Sequence, residues 1–248
     1  MASPIYVIKS AWPGRSEATL NIGDKFLRTI DVLDGLSENL SNWTLLDKPR
    51  DEYLPLTSML RANFTEFVET QVNRDDYGDP DSENGYLVMA VCDVSQRMDR
   101  QQHGCFYASA GSKFRNFSLF EIGSHVAPPD PSLITFPIFK AALLAMISIW
   151  PAPWANAQCS FWGERAPTLP GEPEFPYSGY QMPWISYLNA ERAANVVVPP
   201  EIITERTPDG GLLMIAAETR FDPTNVEHMR PSRLMVQIMD EHADNPVW

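Results

Sequence analysis

The chain is 248 residues long, 44% hydrophobic and 11% aromatic, with 32 acidic side chains against 19 basic ones. The formal charge of −13 repels nucleic-acid phosphates and anionic lipid surfaces and attracts cationic ones. With 7 Trp, 12 Phe and 8 Tyr the chain is not a disordered acidic polymer, because these residues supply the apolar area that a core requires.

Ile5 to Ile8 reads as a first strand, and Ala11-Trp12-Pro13-Gly14-Arg15 as a turn. Ser16 is the expected N-cap of a helix, with Glu17 in its first turn. Ile22, Phe26, Ile30 and Leu33 then mark one helix face, which ends near Gly35. Trp43 to Leu46 reads as a short strand or a lid. Thr57 caps a second helix with an apolar stripe of Leu60, Phe64, Phe67 and Val68. The segment from Asn73 to Gly85 is the most polar of the chain and is a solvated loop.

Tyr86 to Val91, Cys105 to Ala110 and Phe117 to Ile122 follow as three strands at short intervals, which predicts an antiparallel meander. Leu133 to Trp150 is the longest apolar run. Pro137 and Lys140 lie within it and Pro151 stops it, so it is read as a buried core helix rather than a membrane span. Gln158 to Trp162 is another strand, Ala166 to Pro183 an irregular proline-rich crossing, and Trp184 to Ala194 a helix. Ile202 to Arg206 and Leu212 to Ala217 flank Thr207-Pro208-Asp209-Gly210-Gly211 as a hairpin. Asp222-Pro223 is read as a cap, Pro231 as an interruption, and Ser232 to His242 as the last helix.

This order predicts an α+β fold, a mostly antiparallel sheet flanked by helices in a single compact domain over residues 1–248. Trp12-Pro13-Gly14-Arg15 and Trp162-Gly163-Glu164-Arg165 both follow strand-like runs, a hint of two related halves of about 1–125 and 126–248. The N-terminus carries no basic and then apolar leader, which points to a cytoplasmic protein. Cys92, Cys105 and Cys159 are odd in number, form no C-x-x-C pair, and are expected as buried reduced thiols.

Catalytic patterns are missing. His103, His125, His228 and His242 are scattered and form no H-E-x-x-H motif, so no metal and no cofactor is expected. Gly111-Ser112-Lys113 and Gly123-Ser124-His125 read as surface loops, because a Ser beside a His in sequence is not a triad. No E-x-K of a nuclease site occurs. A hydrolase assembled around His103, Cys105 or His125 would require a strongly perturbed titratable group in a polar pocket. The acidic stretches remain: Asp75, Asp76, Asp79, Asp81 and Glu83; Asp31, Asp34 and Glu38 on one helix face; and Asp240, Glu241 and Asp244. Each is either a solvated surface or a docking surface for a basic protein, whose association complementary charge would speed.

The Trp12-Pro13-Gly14-Arg15 corner with Glu17 and then Trp43, the Thr207-Pro208-Asp209-Gly210-Gly211-Leu212-Leu213 hairpin, and Phe221-Asp222-Pro223 with Asn225 and His228 together resemble the immunity protein 52 family of bacterial polymorphic-toxin systems. The resemblance spans about residues 5 to 240. It implies a protein that binds and neutralises a cognate toxin and has no catalytic residues of its own. The toxins associated with the family have a restriction-endonuclease-like fold and include type VI secretion effectors. The implied partner is therefore a basic, nuclease-type toxin domain whose active site or substrate cleft is occluded, with no nucleic acid or membrane partner. Within the resemblance, Trp12, Gly14, Arg15, Asp209, Gly210, Gly211 and Asp222 are expected to determine the fold. The two acidic groups from Asp75 to Glu83 and from Asp31 to Glu38 are expected to meet the partner. An adaptor or secretion chaperone is the competing expectation, separable by whether the chain binds a toxic domain or a leading segment of its client.

Overall fold

One continuous antiparallel sheet runs through the chain in the computed structural model, which describes residues 5–92, 104–123, 129–160 and 181–243. Its strands are β1 (Ile5–Pro13), β2 (Thr44–Asp47), β3 (Glu52–Pro55), β4 (Tyr86–Cys92), β5 (Gly104–Ala110), β6 (Arg115–Ile122), β7 (Trp154–Ser160), β8 (Gln181–Leu188), β9 (Ile203–Arg206) and β10 (Leu212–Ile215). Their spatial order is β3-β2-β4-β5-β6-β1-β7-β8-β10-β9. The helices among the described residues are α1 (Thr19–Asp34), α2 (Ser58–Ala62), α3 (Phe64–Thr70), α4 (Phe136–Ile149), α5 (Ala190–Ala193) and α6 (Val226–His242). The fold is α+β and forms one domain.

The first strand lies in the middle of the sheet, between β6 and β7. Ile8 stands opposite Phe120 on one side and Ala157 on the other. Strand β1 is longer than its apolar run suggests. Ala11, Trp12 and Pro13 pair with Phe117, Asn116 and Arg115, so the predicted turn begins only at Gly14. Pairing on both flanks extends the strand through Ser10, whose hydroxyl meets that of Ser118 at 2.7 Å. The edge strands β3 and β9 are four residues each and partly exposed, which limits the unpaired backbone open to edge-to-edge association.

Helices α1 and α4 cover one sheet face. The predicted stripe of Ile22, Phe26, Ile30 and Leu33 is buried, and Phe26 packs on Phe106 of β5 at 5.0 Å between ring centroids. Phe139 of α4 packs edge-on against Tyr6 of β1 at 6.0 Å and lies 5.1 Å from Trp184 of β8. The N-cap of α1 is Ala18, not Ser16, and no side chain caps it. Gly35 closes the helix as expected, its N–H bonding Asp31 O at 3.3 Å. Thr57 caps α2, its hydroxyl accepting from Leu60 N at 3.3 Å, but the predicted second helix breaks at Asn63 into α2 and α3.

The largest departure concerns residues 184–194, which the sequence reads as a helix. Gln181–Leu188 is strand β8, and only Ala190–Ala193 is helical. Trp184, Ile185, Tyr187 and Leu188 are all buried because β8 lies inside the sheet between β7 and β10. A strand covered on both faces loses the alternation that marks strands in sequence. Pro183 is accommodated beside a register shift between Ala157 and Gln158, where a missing N–H costs least. Pro231 also departs from expectation. It sits in the second turn of α6, which continues through it to His242. The buried Pro231, Met235 and Met239 hold that helix to the body of the protein despite one lost backbone bond.

Strand β7 begins at Trp154 rather than Gln158, and β3 was not anticipated. The motif Trp162-Gly163-Glu164-Arg165, the crossing segment up to residue 180, His103, Ser124, His125 and Asp244 lie outside the described residues. No helix among the described residues is long and apolar enough to cross a membrane.

Candidate functional site

The strand register brings several of the singled-out turns to one end of the sheet. Pro13 stands opposite Arg115, Ala11 opposite Trp154, Trp154 opposite Leu188, and Leu188 opposite Leu212. Tyr86, which follows the acidic loop, stands opposite Ala110, just before the 111–114 turn. The Trp12–Arg15 corner, the acidic loop and the Thr207–Gly211 hairpin therefore share this end.

The corner is built by a close backbone approach. A Cβ on Gly14 would lie 1.9 Å from Lys113 O, so no larger residue fits without displacing the 111–114 turn. Arg15 N bonds Ser112 O at 2.8 Å, and the Asn116 amide donates to Pro13 O at 3.0 Å and Ser112 O at 3.1 Å. Trp12 is stacked on Trp150 at 5.5 Å, and the Trp150 indole donates to Thr29 Oγ1 at 2.9 Å. Glu17 pairs with Lys25 and reaches Arg15 at 4.0 Å. Trp12, Gly14 and Arg15 thus tie β1, α1, α4 and the 111–116 segment together.

The acidic loop is less uniform than its sequence. Asp75 Oδ1 accepts from Tyr77 N and Asp79 N, both at 2.9 Å. Asp81 accepts from Glu83 N and the Asn84 amide, both at 2.9 Å. Glu83 pairs with Lys113, whose N–H also bonds Glu83 O at 2.9 Å. Three of the five carboxylates thus shape the loop and dock it on the 111–114 turn. Asp76 and Asp79 are exposed and form no side-chain bond among the described residues. Tyr77 stands between them, 92% exposed.

The second acidic group lies elsewhere. Helix α1 starts beside Gly111, which faces Ile22, and the chain after it reaches Gly104 through Leu40, at the opposite end of β5. Asp31, Asp34 and Glu38 are exposed toward that far end, and Asp31 pairs with Arg61 at 2.8 Å. The two acidic groups do not form one surface.

The hairpin and the Asp222 turn are held by their own side chains. Asp209 accepts from the Thr207 hydroxyl and from Tyr187 Oη at 2.9 Å. These bonds, that from Thr207 first, hold its carboxyl below the usual range. Gly210 has φ +84°, and a Cβ on Gly211 would meet Tyr187 at 2.5 Å. Asp222 Oδ1 accepts from Thr224 N at 2.8 Å and Thr224 Oγ1 at 2.7 Å, which lowers its carboxyl as well. Asn225, not Asp222, caps α6, its side chain accepting from Glu227 N at 3.0 Å.

Two adjoining clefts open at the Trp12 end. A cleft of about 290 Å³ is walled by Trp12, Pro13, Phe114, Arg115, Trp154 and Arg192, among others. A broader one of about 720 Å³ shares Pro13, Pro153 and Arg192 and adds Glu191, Asp209, Glu241 and His242. Sequence reading overlooked both, because their walls come from turns far apart in the chain. Chemical machinery is sparse. Burial pushes the Cys105 thiol far up and that of Cys159 up to about 12, so neither is a thiolate near neutral pH. No group of three or more His, Cys, Asp or Glu residues able to hold a metal occurs among the described residues.

The model of immunity protein 52 matches residues 5–243. Among solved structures, the Pseudomonas aeruginosa T6SS protein PA0821 is similar, with a TM-score of 0.56 and 12% identity. That match covers 97% of this chain and 77% of the other, and at this identity it shows a shared fold. None of the curated proteins matches the sequence. The family match runs from the first residue of β1 to the residue that follows α6, through the corner, the hairpin and the Asp222 turn, and on that ground the chain belongs to the immunity protein 52 family.

Proposed function

We propose that the chain neutralises a nuclease-type toxin of a type VI secretion system by covering its cationic substrate cleft, performing no chemistry of its own. An immunity role implies a toxin partner. A toxin that cuts nucleic acid must present a basic cleft to its substrate. The observation that carries the reading is the pinned acidic loop, whose tip presents Asp76, Tyr77 and Asp79 to solvent on a molecule of net charge −13. An aromatic anchor between two free carboxylates suits a basic groove, and the hydrogen-bonded base of the loop reduces the ordering cost of docking. The raised thiols and sparse histidines favour occlusion over catalysis. A nucleic-acid-cutting toxin acts where the genome is, so the protective complex forms in the cytoplasm. The shared fold with a T6SS protein supports the secretion context.

The test takes the product of the adjoining reading frame, purified and assayed for toxicity and DNA cleavage with increasing amounts of this chain. The expected result is stoichiometric loss of cleavage and rescue of growth on co-expression. Undiminished killing in its presence would overturn the reading. Binding to a leading segment of the client, with the toxic domain still active, would make the chain a secretion chaperone instead.

A further inference from the structure

The smaller cleft has the opposite sign to the molecule around it. Its walls contain two arginines, Arg115 and Arg192, and no acidic residue, in a chain where acids outnumber bases 32 to 19. Arg192 is held by donating Nη1 to His242 O at 2.5 Å. Arg115 is exposed, and no carboxylate of the described residues pairs with it. Lys9 lies two residues from the cleft residue Ala11 along β1. Its ammonium is drawn down to about 8, by burial first and by the Arg115 guanidinium second. Trp12 also lines the cleft, and its buried indole N–H has no hydrogen-bond partner. Phe114 forms an outward lip, 70% exposed.

These groups are held in place in advance. Gly14 against Lys113 O, Arg15 N on Ser112 O and the Asn116 amide on Pro13 O lock the turn that carries Phe114 and Arg115. An exposed aromatic beside an arginine on a locked turn has the composition of an interface anchor. A planar guanidinium is matched by a carboxylate, which it holds through two parallel hydrogen bonds. A free polyanion is turned away by the acidic field of the whole molecule. A single carboxylate carried on an otherwise basic protein is not.

We infer that this cleft receives an acidic side chain of the toxin, with Arg115 as the charged anchor and Phe114 as the apolar lip. The inference rests on the immunity reading and adds a second, oppositely charged contact to the acidic loop. The toxin then meets a surface of both signs, which selects a partner whose acidic side chain lies at a fixed distance from its basic cleft.

The test measures binding of the full chain to a catalytically inactivated form of the product of the adjoining reading frame. Arg115→Ala and Phe114→Ala are each expected to weaken binding at least tenfold, mainly by faster dissociation, and Arg115→Glu further still. Arg115→Lys should restore part of the loss. Both positions are exposed, so thermal unfolding of the variants should match the wild type. The sign of the result is decisive. Arg115→Ala makes the protein more negative, so binding governed by overall acidity alone would tighten. Tight wild-type binding that Arg115→Ala leaves unchanged or strengthens would overturn the inference while leaving the immunity reading intact. Failure of the wild type to bind would overturn both.

Discussion

Gly14 illustrates how a single residue can carry a corner. With 1.9 Å between its would-be Cβ and Lys113 O, Gly14→Ala must push the 111–114 turn off β1. Overpacking of this kind costs about 2–3 kcal/mol. Urea denaturation should show that loss, and a midpoint equal to wild type would refute the close approach. Asp209 bears on acid stability. Its folded carboxyl lies below its unfolded value, so its contribution is fully present above the ordinary carboxylate range and is lost as pH falls through the folded pKa. Asp209→Asn should therefore unfold at a lower temperature than wild type at pH 7, with the gap closing as the pH drops below about 4. A gap independent of pH would show that the carboxylate charge is irrelevant to the turn.

At the scale of elements, the acidic loop divides its labour. Asp75, Asp81 and Glu83 build the loop and fasten it to the 111–114 turn, and Asp76 and Asp79 remain exposed to solvent. Neutralising these two, as Asp76→Asn with Asp79→Asn, should leave folding unchanged and slow association with the toxic domain. The slowing should be several-fold at low salt and vanish near 1 M, where charges are screened beyond about 3 Å. Stopped-flow mixing across a salt series measures it, and an association rate equal to wild type at low salt would remove the loop from the interface. Helix α1, by contrast, carries Asp31 and Asp34 away from this surface, Glu38 lies beyond the end of the helix rather than on its face, and Arg61 already partners Asp31.

At the scale of the whole molecule, one antiparallel sheet joins both terminal parts of the chain. Central β1 pairs with β6 from the first part and β7 from the second. That arrangement gathers the Trp12 corner, the acidic loop and the Thr207–Gly211 hairpin at one end, although they are separated by most of the sequence. An acidic loop and an arginine-lined cleft both open there, so under the proposed function the net charge governs how a toxin approaches and the local signs govern how it is held.

The sequence alone was enough for the α+β class, the buried stripe of α1, the meander of β4, β5 and β6, the β9–β10 hairpin and the family. Each of these elements is written in spacing or turn chemistry within a few residues, as Gly210 at φ +84° illustrates, whereas the family was reached through the likeness of its motifs to known members. Strand β8 was hidden because burial on both faces erased its alternation, and α6 ran through Pro231 because packing outweighed one missing hydrogen bond. Which carboxylates turn inward, and the meeting of Phe114 and Arg115 with Arg192, were decided only by the tertiary structure. The physical reason is range: local periodicity reports which side of an element is buried, whereas strand order and register are set by contacts between distant segments that no short stretch of chain contains.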